Sequence, residues 1–259
     1  MKKTRNNFLK NLVPGKLRKL TYKLGIYLYR EEVFPSMEGS LNALSNWGFT
    51  PESAIDVGAY IGEWTVLFKE FFPECKILMI EAQESKVPML HEIQSRYRDI
   101  TFENVLLGSE SGREVSFVEM ETGSSVFEES SPYKRDRVSK KQITMDDLIK
   151  RQPEFSSPDF LKLDVQGYEL EILKGAEKLL ANTEIVLLET SLIPVNQGCP
   201  LIHEVIGYMS QRNFRMLDFC SQVRRKDASL WQTDLLFIKN GSKFIPPAKL
   251  NESNWRKVK

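Results

Sequence analysis

The sequence predicts an α/β fold, a doubly wound, mostly parallel sheet with helices on both faces. Short apolar runs of strand length alternate with segments of helical period from residue 53 to residue 189, and this alternation is typical of parallel sheets. Two of the runs, at 53–57 and 160–165, lead through a glycine-containing turn into a helix. Ligands of such sheets bind beyond the carboxyl ends of the strands, so these turns are predicted to form the site.

The individual elements follow from hydrophobic period and from stop signals such as Gly48. Residues 121–142 are polar and are predicted to form an exposed loop. The last strand is predicted to be antiparallel to the strand before it. The predicted helices cover 36–47, 62–72, 84–96, 145–150, 168–181 and 201–212, and the predicted strands cover 53–57, 76–80, 101–107, 114–119, 159–164, 184–189, 214–220 and 231–238.

Length and composition indicate one sizeable soluble domain. The chain has 259 residues, of which 41% are apolar and 27% charged, as in ordinary globular proteins. We assign residues 38–245 to the domain, 1–37 to an N-terminal helical extension and 246–259 to a tail. Three cysteines without metal-ligand spacing favour a reducing compartment, predicted to be the cytoplasm. With only two histidines, a zinc site is not expected.

The first 30 residues are strongly basic. They contain nine Lys or Arg and no acid, whereas the remainder contains 27 basic and 35 acidic residues. Apolar residues are interleaved with these charges, but no apolar run reaches the length of about 18 residues that a membrane span requires. The segment is predicted either to lie peripherally on an anionic membrane or to pack on the acidic body of the same chain. A nucleic-acid partner is not expected, because no basic patch recurs in the core.

The turn after the first strand has the features of a cofactor site. An acid, Asp56, precedes two glycines that are spaced Gly-x-x-x-Gly. Glycines let the backbone approach a ligand, and amides at a helix start bind its polar atoms. This is not the dinucleotide fingerprint, and the acid would oppose a pyrophosphate but favour a cationic amino-acid group. S-adenosyl-L-methionine has such a group, and the predicted contacts are Asp56, Gly58, Ala59, Tyr60, Gly62 and Thr65.

Polar residues also end the next two strands. Glu81 follows Asp56 by 25 positions, and an acid there can accept both ribose hydroxyls of a nucleoside. The alternative role for Glu81 is to cap a helix. Asn104, at the end of the third strand, is predicted either to face the adenine or to be an ordinary turn residue.

The segment after the fourth core strand offers the first candidate for catalysis. Asp164 lies at the strand end, and Gly167 follows in the turn. Methyl transfer from S-adenosylmethionine needs an in-line arrangement, and an alcohol acceptor would also need a base. We predict that Asp164 is this base; otherwise it orders the turn or binds the cofactor. Gln166 and Tyr168 are predicted to line the acceptor pocket, and Glu169 to cap or pair locally.

Two further residues are candidates for the base. Glu189 ends the fifth strand, and His203 lies at a predicted helix start. Their alternative roles are a cap for Glu189 and an incidental surface residue for His203. Two strand-end acids could also hold a divalent ion, but no third ligand is evident, so no metal is assigned.

These motifs resemble those of the FkbM-type S-adenosylmethionine-dependent methyltransferases. The family pattern Asp-Val-Gly-Ala-Asn-x-Gly matches residues 56–62, except that Tyr60 replaces the usual Asn. Its pattern Leu-Asp-x-x-Gly-x-Glu-x-x-x-Leu-x-Gly is matched in full by residues 163–175. Weaker matches are Gly123-Ser124-Ser125, the segment 145–148 and the closing strand 231–237, so the resemblance covers about residues 38–240.

The resemblance implies a class I methyltransferase with a Rossmann-like fold and a sugar or other polyhydroxylated acceptor, with Ser124 and Ser125 predicted to contact that acceptor. The main alternative is a non-catalytic S-adenosylmethionine-binding or partner-docking module of the same fold. A nicotinamide-dependent oxidoreductase is disfavoured because Gly-x-Gly-x-x-Gly is absent after the first strand. A nucleic-acid methyltransferase is disfavoured by the acidic core.

Overall fold

The computed structural model describes residues 35–118, 126, 137–194, 196 and 198–245. The chain divides into two compact units, Met1–Pro35 and Ser36–Lys259, and every element below belongs to the second. Most of the predicted extension 1–37, the predicted tail 246–259 and the predicted contacts Ser124 and Ser125 lie outside the described residues.

Eleven strands and seven α-helices make up the described part of the chain. The strands are β1 (Ser53–Val57), β2 (Lys76–Glu81), β3 (Ile100–Asn104), β4 (Leu106–Leu107), β5 (Glu114–Val118), β6 (Arg137–Ile143), β7 (Phe160–Leu163), β8 (Ile185–Ser191), β9 (Phe214–Phe219), β10 (Val223–Arg224) and β11 (Leu230–Lys239). The helices are α1 (Met37–Asn46), α2 (Glu63–Phe71), α3 (Val87–Arg96), α4 (Met145–Leu148), α5 (Glu169–Lys174), α6 (Glu177–Asn182) and α7 (Ile202–Gln211). Short 3₁₀ turns cover Glu84–Lys86, Ile149–Arg151 and Pro153–Phe155.

The central sheet confirms the predicted doubly wound fold. Its parallel strands lie in the order β3-β2-β1-β7-β8, and β11 is antiparallel to β8 and, as predicted, to β9. β10 also pairs with β11. From β1 the chain adds β2 and β3 on one side of the sheet, and it later adds β7 and β8 on the other side of β1. The switch between β1 and β7 is where ligands of open sheets bind, and the glycine turn and Asp164 follow these two strands.

The core lies on both faces of the sheet because the buried strand residues alternate between them. Ile55, Leu78 and Leu161 belong to one buried cluster, whereas Ala54, Ile77 and Phe160 belong to the other. Along a strand successive side chains point to opposite faces. Near-continuous apolar runs in β1, β2, β7 and β8 therefore supply both layers.

The predicted exposed loop at 121–142 is wrong over its last residues. β6 pairs antiparallel with β5 and parallel with β4, forming a second, three-stranded sheet. The polar sequence of β6 hides the strand, since only Gln142 on it is fully buried. The predicted strand 101–107 also divides, because Leu106 and Leu107 pair with β6 rather than with β2.

The predicted helix 168–181 is interrupted at Gly175. A Cβ atom on this residue would lie 2.2 Å from the carbonyl oxygen of Gly108, so the backbone approaches too closely for a side chain. The helix restarts as α6, whose first N–H groups are capped by another element: the Asp146 carboxylate accepts from Lys178 N and Leu179 N, both at 3.1 Å. A cap from a distant residue leaves no local sequence signal.

Within the described ranges, no helix combines the length and the apolar character that crossing a membrane would need. Cys75, Cys199 and Cys220 are free thiols, and all three are buried.

Candidate active site

A cavity of about 280 Å³ lies at the carboxyl ends of β1, β2 and β7. Small-molecule sites commonly enclose about 300 to 1,000 Å³, so the cavity is near the lower end of that range. Four segments line most of it, namely 57–60 at the end of β1, 80–83 at the end of β2, 105–107 before and within β4, and 164–166 after β7. The predicted strand-end site is therefore a physical cavity at the switch point of the sheet.

Gly58 permits a close contact between two turns of the protein. Its φ is +73°, and a Cβ atom there would lie 2.0 Å from the carbonyl oxygen of Asp164. The close approach that the glycine allows is therefore to the Asp164 backbone, although Gly58 also lines the cavity. Gly62 has a φ of +79°, and a Cβ atom there would lie 2.2 Å from Ile93 Cδ1. Ile93 therefore fills the space that a side chain at position 62 would need. Gly62 does not line the cavity, so the prediction that it contacts the cofactor is corrected to a packing role.

Tyr60 adopts a left-handed backbone conformation with a φ of +51°. Its N–H donates to Glu81 Oε2 at 2.8 Å, and Lys86 Nζ lies 4.6 Å from the centre of its ring. Asn, which stands at this position in the family pattern that the sequence resembles, tolerates the conformation better than Tyr does. Tyr60 and Ala59 both line the cavity, and their contacts with the cofactor stay predictions.

The Glu81 carboxylate is buried at the cavity wall and is held by backbone donors. Oε2 accepts from Tyr60 N and Oε1 from Gln83 N, both at 2.8 Å. Burial raises the pKa of Glu81, and these backbone hydrogen bonds and the charge of Lys162 oppose the rise. A carboxylate has about four acceptor positions, so these bonds leave acceptor capacity for a ribose hydroxyl. The cavity and this carboxylate fit the nucleoside part of S-adenosylmethionine.

Asn104 does not line the cavity. Its Nδ2 donates to the Glu81 carbonyl oxygen at 2.8 Å, across the parallel pairing of β2 and β3. Asn104 thus holds the backbone of Glu81, and its predicted contact with the adenine stays a prediction.

Asp56 and Thr65 are buried beneath the cavity rather than exposed in it. Thr65 Oγ1 donates to Asp56 Oδ2 at 2.7 Å, and Lys162 Nζ donates to Asp56 Oδ1 at 2.9 Å. Both side chains are fully buried and neither lines the cavity. The prediction that they contact the cofactor directly is corrected, because their polar atoms are already paired with protein groups.

Lys162 is the functional residue that the motif analysis missed. It is 5% exposed and lines the cavity from β7, with Nζ 3.2 Å from the Gly58 carbonyl oxygen and 3.8 Å from Asp164 Oδ2. Burial acts to lower the pKa of Lys162, but the charges of Asp56 and Asp164 outweigh it and the pKa is raised. One signal was available, since Lys162 is the only charged residue in the otherwise apolar run 160–163.

The Asp164 carboxylate lies in the cavity wall and is accessible. Its side chain is 41% exposed, and its backbone N–H donates to the Val57 carbonyl oxygen at 3.1 Å as β7 ends. Gln166 Nε2 donates to Asp164 Oδ1 at 3.2 Å, whereas Lys162 faces Oδ2. Each carboxylate oxygen thus has its own partner.

Gln166 joins Asp164 to Glu189. It lines the cavity, has a left-handed φ of +58° and donates from Nε2 to Glu189 Oε2 at 2.9 Å. Burial, together with the charges of Asp164, Glu169 and Asp234, raises the pKa of Glu189 well above its usual value. Glu189 does not line the cavity, and its hydrogen bond to a lining residue is the one from Gln166.

The other residues of the Asp164 turn have separate roles. Glu169 is buried, and its Oε1 accepts from Val165 N at 2.9 Å and Gly167 N at 3.2 Å, which confirms the predicted local capping. Burial is the main cause that raises the pKa of Glu169 to about 7. Tyr168 lines the cavity, and its hydroxyl donates to Gln142 Oε1 at 3.2 Å.

His203 is not brought to the site. It lies on the exposed surface of α7, one residue after that helix begins, and does not line the cavity. The structure therefore gives no support to His203 as the base. Among the residues that the structure describes, no group of three or more His, Cys, Asp or Glu is arranged to hold a metal ion.

Comparison with known proteins gives one family and many similar folds. The family model described as the methyltransferase FkbM domain matches residues 56–216. Comparison with curated protein sequences gives no significant match. A putative O-methyltransferase from Klebsiella pneumoniae has a similar structure, with a TM-score of 0.50, 11% identity and coverage of 92% of this chain and 96% of that one.

Two further structures are similar at lower TM-scores. The precorrin-6y C5,15-methyltransferase from Geobacter metallireducens has a TM-score of 0.45 and 9% identity, covering 82% of this chain and 93% of its own. The N-methyltransferase NodS from Bradyrhizobium japonicum, solved in complex with S-adenosyl-L-homocysteine, has a TM-score of 0.45 and 10% identity, covering 78% of this chain and 85% of its own.

Proposed function

Because the chain belongs to the FkbM methyltransferase family, we propose that it transfers a methyl group from S-adenosylmethionine to a hydroxyl oxygen of a sugar or other polyhydroxylated small molecule. The observation that carries the proposal is the accessible Asp164 carboxylate in the wall of the cavity. Oxygen as the methylated atom and the polyhydroxylated acceptor are the parts that need a test.

S-adenosylmethionine is the cofactor of this chain. Glu81 supplies a carboxylate with acceptor positions for the ribose hydroxyls, and the turn 58–60 supplies backbone and side-chain surface. When bound, the cofactor supplies an electrophilic methyl group. The apolar residues 105–107 and Phe117 also line the cavity, so they exclude water from the bound ligand.

Asp164 has the position and chemistry of a general base for an alcohol. A hydroxyl proton must leave as oxygen gains its new bond, and an accessible carboxylate within hydrogen-bonding reach can accept it. Lys162 contacts Oδ2 of Asp164, and Gln166 donates to Oδ1. These two contacts limit the directions in which the carboxylate can point. Orientation of this kind accounts for much of the acceleration in a displacement reaction.

The charges around Asp164 favour an acceptor that is neutral near the reacting atom. Glu63 lines the same cavity, and the carboxyl groups of Glu169, Glu189 and Asp234 are close enough to Asp164 to interact electrostatically. Lys162 is the one cation among the described residues that line the cavity. A phosphate or carboxylate placed beside Asp164 would meet net repulsion, whereas a sugar hydroxyl would not.

The test is to identify the methylated atom. The purified protein is incubated with methyl-labelled S-adenosylmethionine and a cell-extract glycan pool, and labelled products are analysed by mass spectrometry and NMR. The proposal expects a methyl ether on a hydroxyl and at least a tenfold loss of label with Asp164→Asn. Label found only on nitrogen or carbon would overturn the hydroxyl acceptor, and cofactor binding without transfer to any pool would favour the non-catalytic alternative.

A further inference from the structure

We infer that Lys162 is a positioning residue that fixes the Asp164 carboxylate to the glycine turn, so that the base and the cofactor loop keep a constant relative geometry. The inference rests on the proposed function, in which Asp164 is the base. Lys162 is assigned no direct part in proton transfer.

The first argument is the anchoring of Lys162. Its backbone pairs in register with Asp56 across β1 and β7, and its Nζ donates to Asp56 Oδ1 and to the Gly58 carbonyl oxygen. Thr65 holds the second oxygen of Asp56. With its side chain only 7% exposed, the ammonium group has no room to follow a moving partner, and it is therefore a fixed positive charge.

The second argument is the contact between this fixed charge and Asp164. Nζ lies 3.8 Å from Asp164 Oδ2, within ion-pair distance, while Gln166 occupies Oδ1. Without Lys162, Asp164 would keep its acidic neighbours Glu169 on α5, Glu189 on β8 and Asp234 on β11, but it would lose the one cation among the described residues that line the cavity. A 41% exposed side chain that has lost this attraction would turn toward solvent.

The third argument is that the same ammonium group contacts both turns of the site. The Gly58 carbonyl belongs to the turn after β1, and Asp164 follows β7. Gly58 also packs directly on the Asp164 backbone. A displacement of Lys162 would thus move the base relative to the cofactor turn, and a misplacement of about 1 Å can reduce turnover on the order of 100-fold.

The test compares charge removal at two buried lysines. Lys162→Met removes the contact but leaves Asp56 unpaired, so Asp56→Asn/Lys162→Met is made as the variant that leaves no unpaired buried charge. Lys162→Arg keeps the positive charge. The control is Lys69→Met: Lys69 is equally buried at 5% exposure and pairs with Asp99 and two carbonyl groups, but it does not line the cavity.

The acceptor-independent readout is the orientation of Asp164 in crystal structures of these variants. The inference expects an Asp164 side chain that has moved or occupies two conformers in the Lys162→Met and double variants. In Lys69→Met and Lys162→Arg, Asp164 should keep its original position. An Asp164 side chain that keeps its position and its Gln166 contact in the double variant would overturn the inference, whether or not a hydroxyl acceptor has been found.

The kinetic readout uses the acceptor fraction that the wild type labels. Lys162→Met and the double variant should lower kcat at least tenfold, with a smaller change in S-adenosylmethionine affinity by calorimetry. Lys162→Arg, which keeps the positive charge, should restore kcat. A large loss of cofactor affinity with unchanged kcat would make Lys162 a cofactor ligand instead.

Discussion

Asp56 and Lys162 form a buried ion pair directly beneath the cavity, with Nζ 2.9 Å from Oδ1 and side-chain exposures of 7% for Lys162 and 0% for Asp56. The two residues are register partners on neighbouring parallel strands. Lys162 pairs with Asp56 and also lies 3.8 Å from Asp164 Oδ2 in the cavity wall, so the pair links the stability of the sheet to the geometry of the site.

Removing one member of this pair should cost far more stability than removing both. Lys162→Met is expected to lower the free energy of unfolding by about 3–5 kcal/mol, because Asp56 keeps a buried charge without its partner. Asp56→Asn/Lys162→Met should recover most of that loss. Urea denaturation of both variants measures the difference, and equal destabilisation of the two would refute the pairing as the cause.

Gly58→Ala should displace the cofactor turn through contact with the protein. The new Cβ would lie 2.0 Å from the Asp164 carbonyl oxygen, and the backbone must shift. Gly48→Ala is the matched control, because Gly48 has a φ of +83° but no atom within 4 Å of the added Cβ. We expect Gly58→Ala to be destabilised by about 1–3 kcal/mol beyond the control. If thermal melts show equal losses of stability in both variants, the backbone strain that the two positions share would explain the loss, and the contact with Asp164 would not.

Glu81→Gln should weaken cofactor binding. Hydrogen bonds to a charged group contribute about 1.5–3 kcal/mol, so the dissociation constant for S-adenosylmethionine should rise on the order of 10- to 100-fold. Glu169→Gln is the control, since Glu169 is also buried and also accepts two backbone N–H groups but does not line the cavity. Calorimetry would contradict the assignment if Glu81→Gln bound as tightly as this control.

Glu189 should make the folded state less stable as pH rises. Its pKa in the folded protein is raised above the usual value of 4.5. Above 4.5 the unfolded chain loses this proton while the folded protein retains it, so stability falls with pH between the two pKa values. Glu189→Gln removes the titration. The stability of this variant relative to the wild type should increase as pH rises above 4.5, and a constant difference in urea denaturation across that rise would refute the shift.

The sequence was sufficient to predict the elements whose signals are local. β1 has the predicted bounds 53–57, because its mostly apolar residues lead directly into the turn at Gly58. The turns holding Gly58 and Asp164 were found from their place after such strands. β6 was missed because its exposed residues are polar, and the break at Gly175 was missed because it depends on Gly108, which is distant in sequence.

The site was predicted less completely than the fold, for a physical reason. Motif positions indicate which residues lie at a strand end but not whether their polar atoms are free. Asp56 and Thr65 occupy the expected turn, yet they bind each other and Lys162, and Asn104 binds the Glu81 backbone. Conversely, Lys162 belongs to the site because it is buried beside Asp56, and this pairing can be recognised only when β1 and β7 are placed side by side.

The most direct test of the account is the single-turnover rate of Asp164→Asn on the acceptor fraction that the wild type methylates, measured beside its calorimetric affinity for S-adenosylmethionine. Asp164 is partly exposed, so the variant should fold and bind the cofactor with little change. We expect the methyl-transfer rate to fall on the order of 10²- to 10⁴-fold, as for the loss of a general base. A near-normal rate would contradict the assignment of Asp164 as the base, and a large loss of cofactor affinity with a normal rate at saturation would make Asp164 a cofactor ligand.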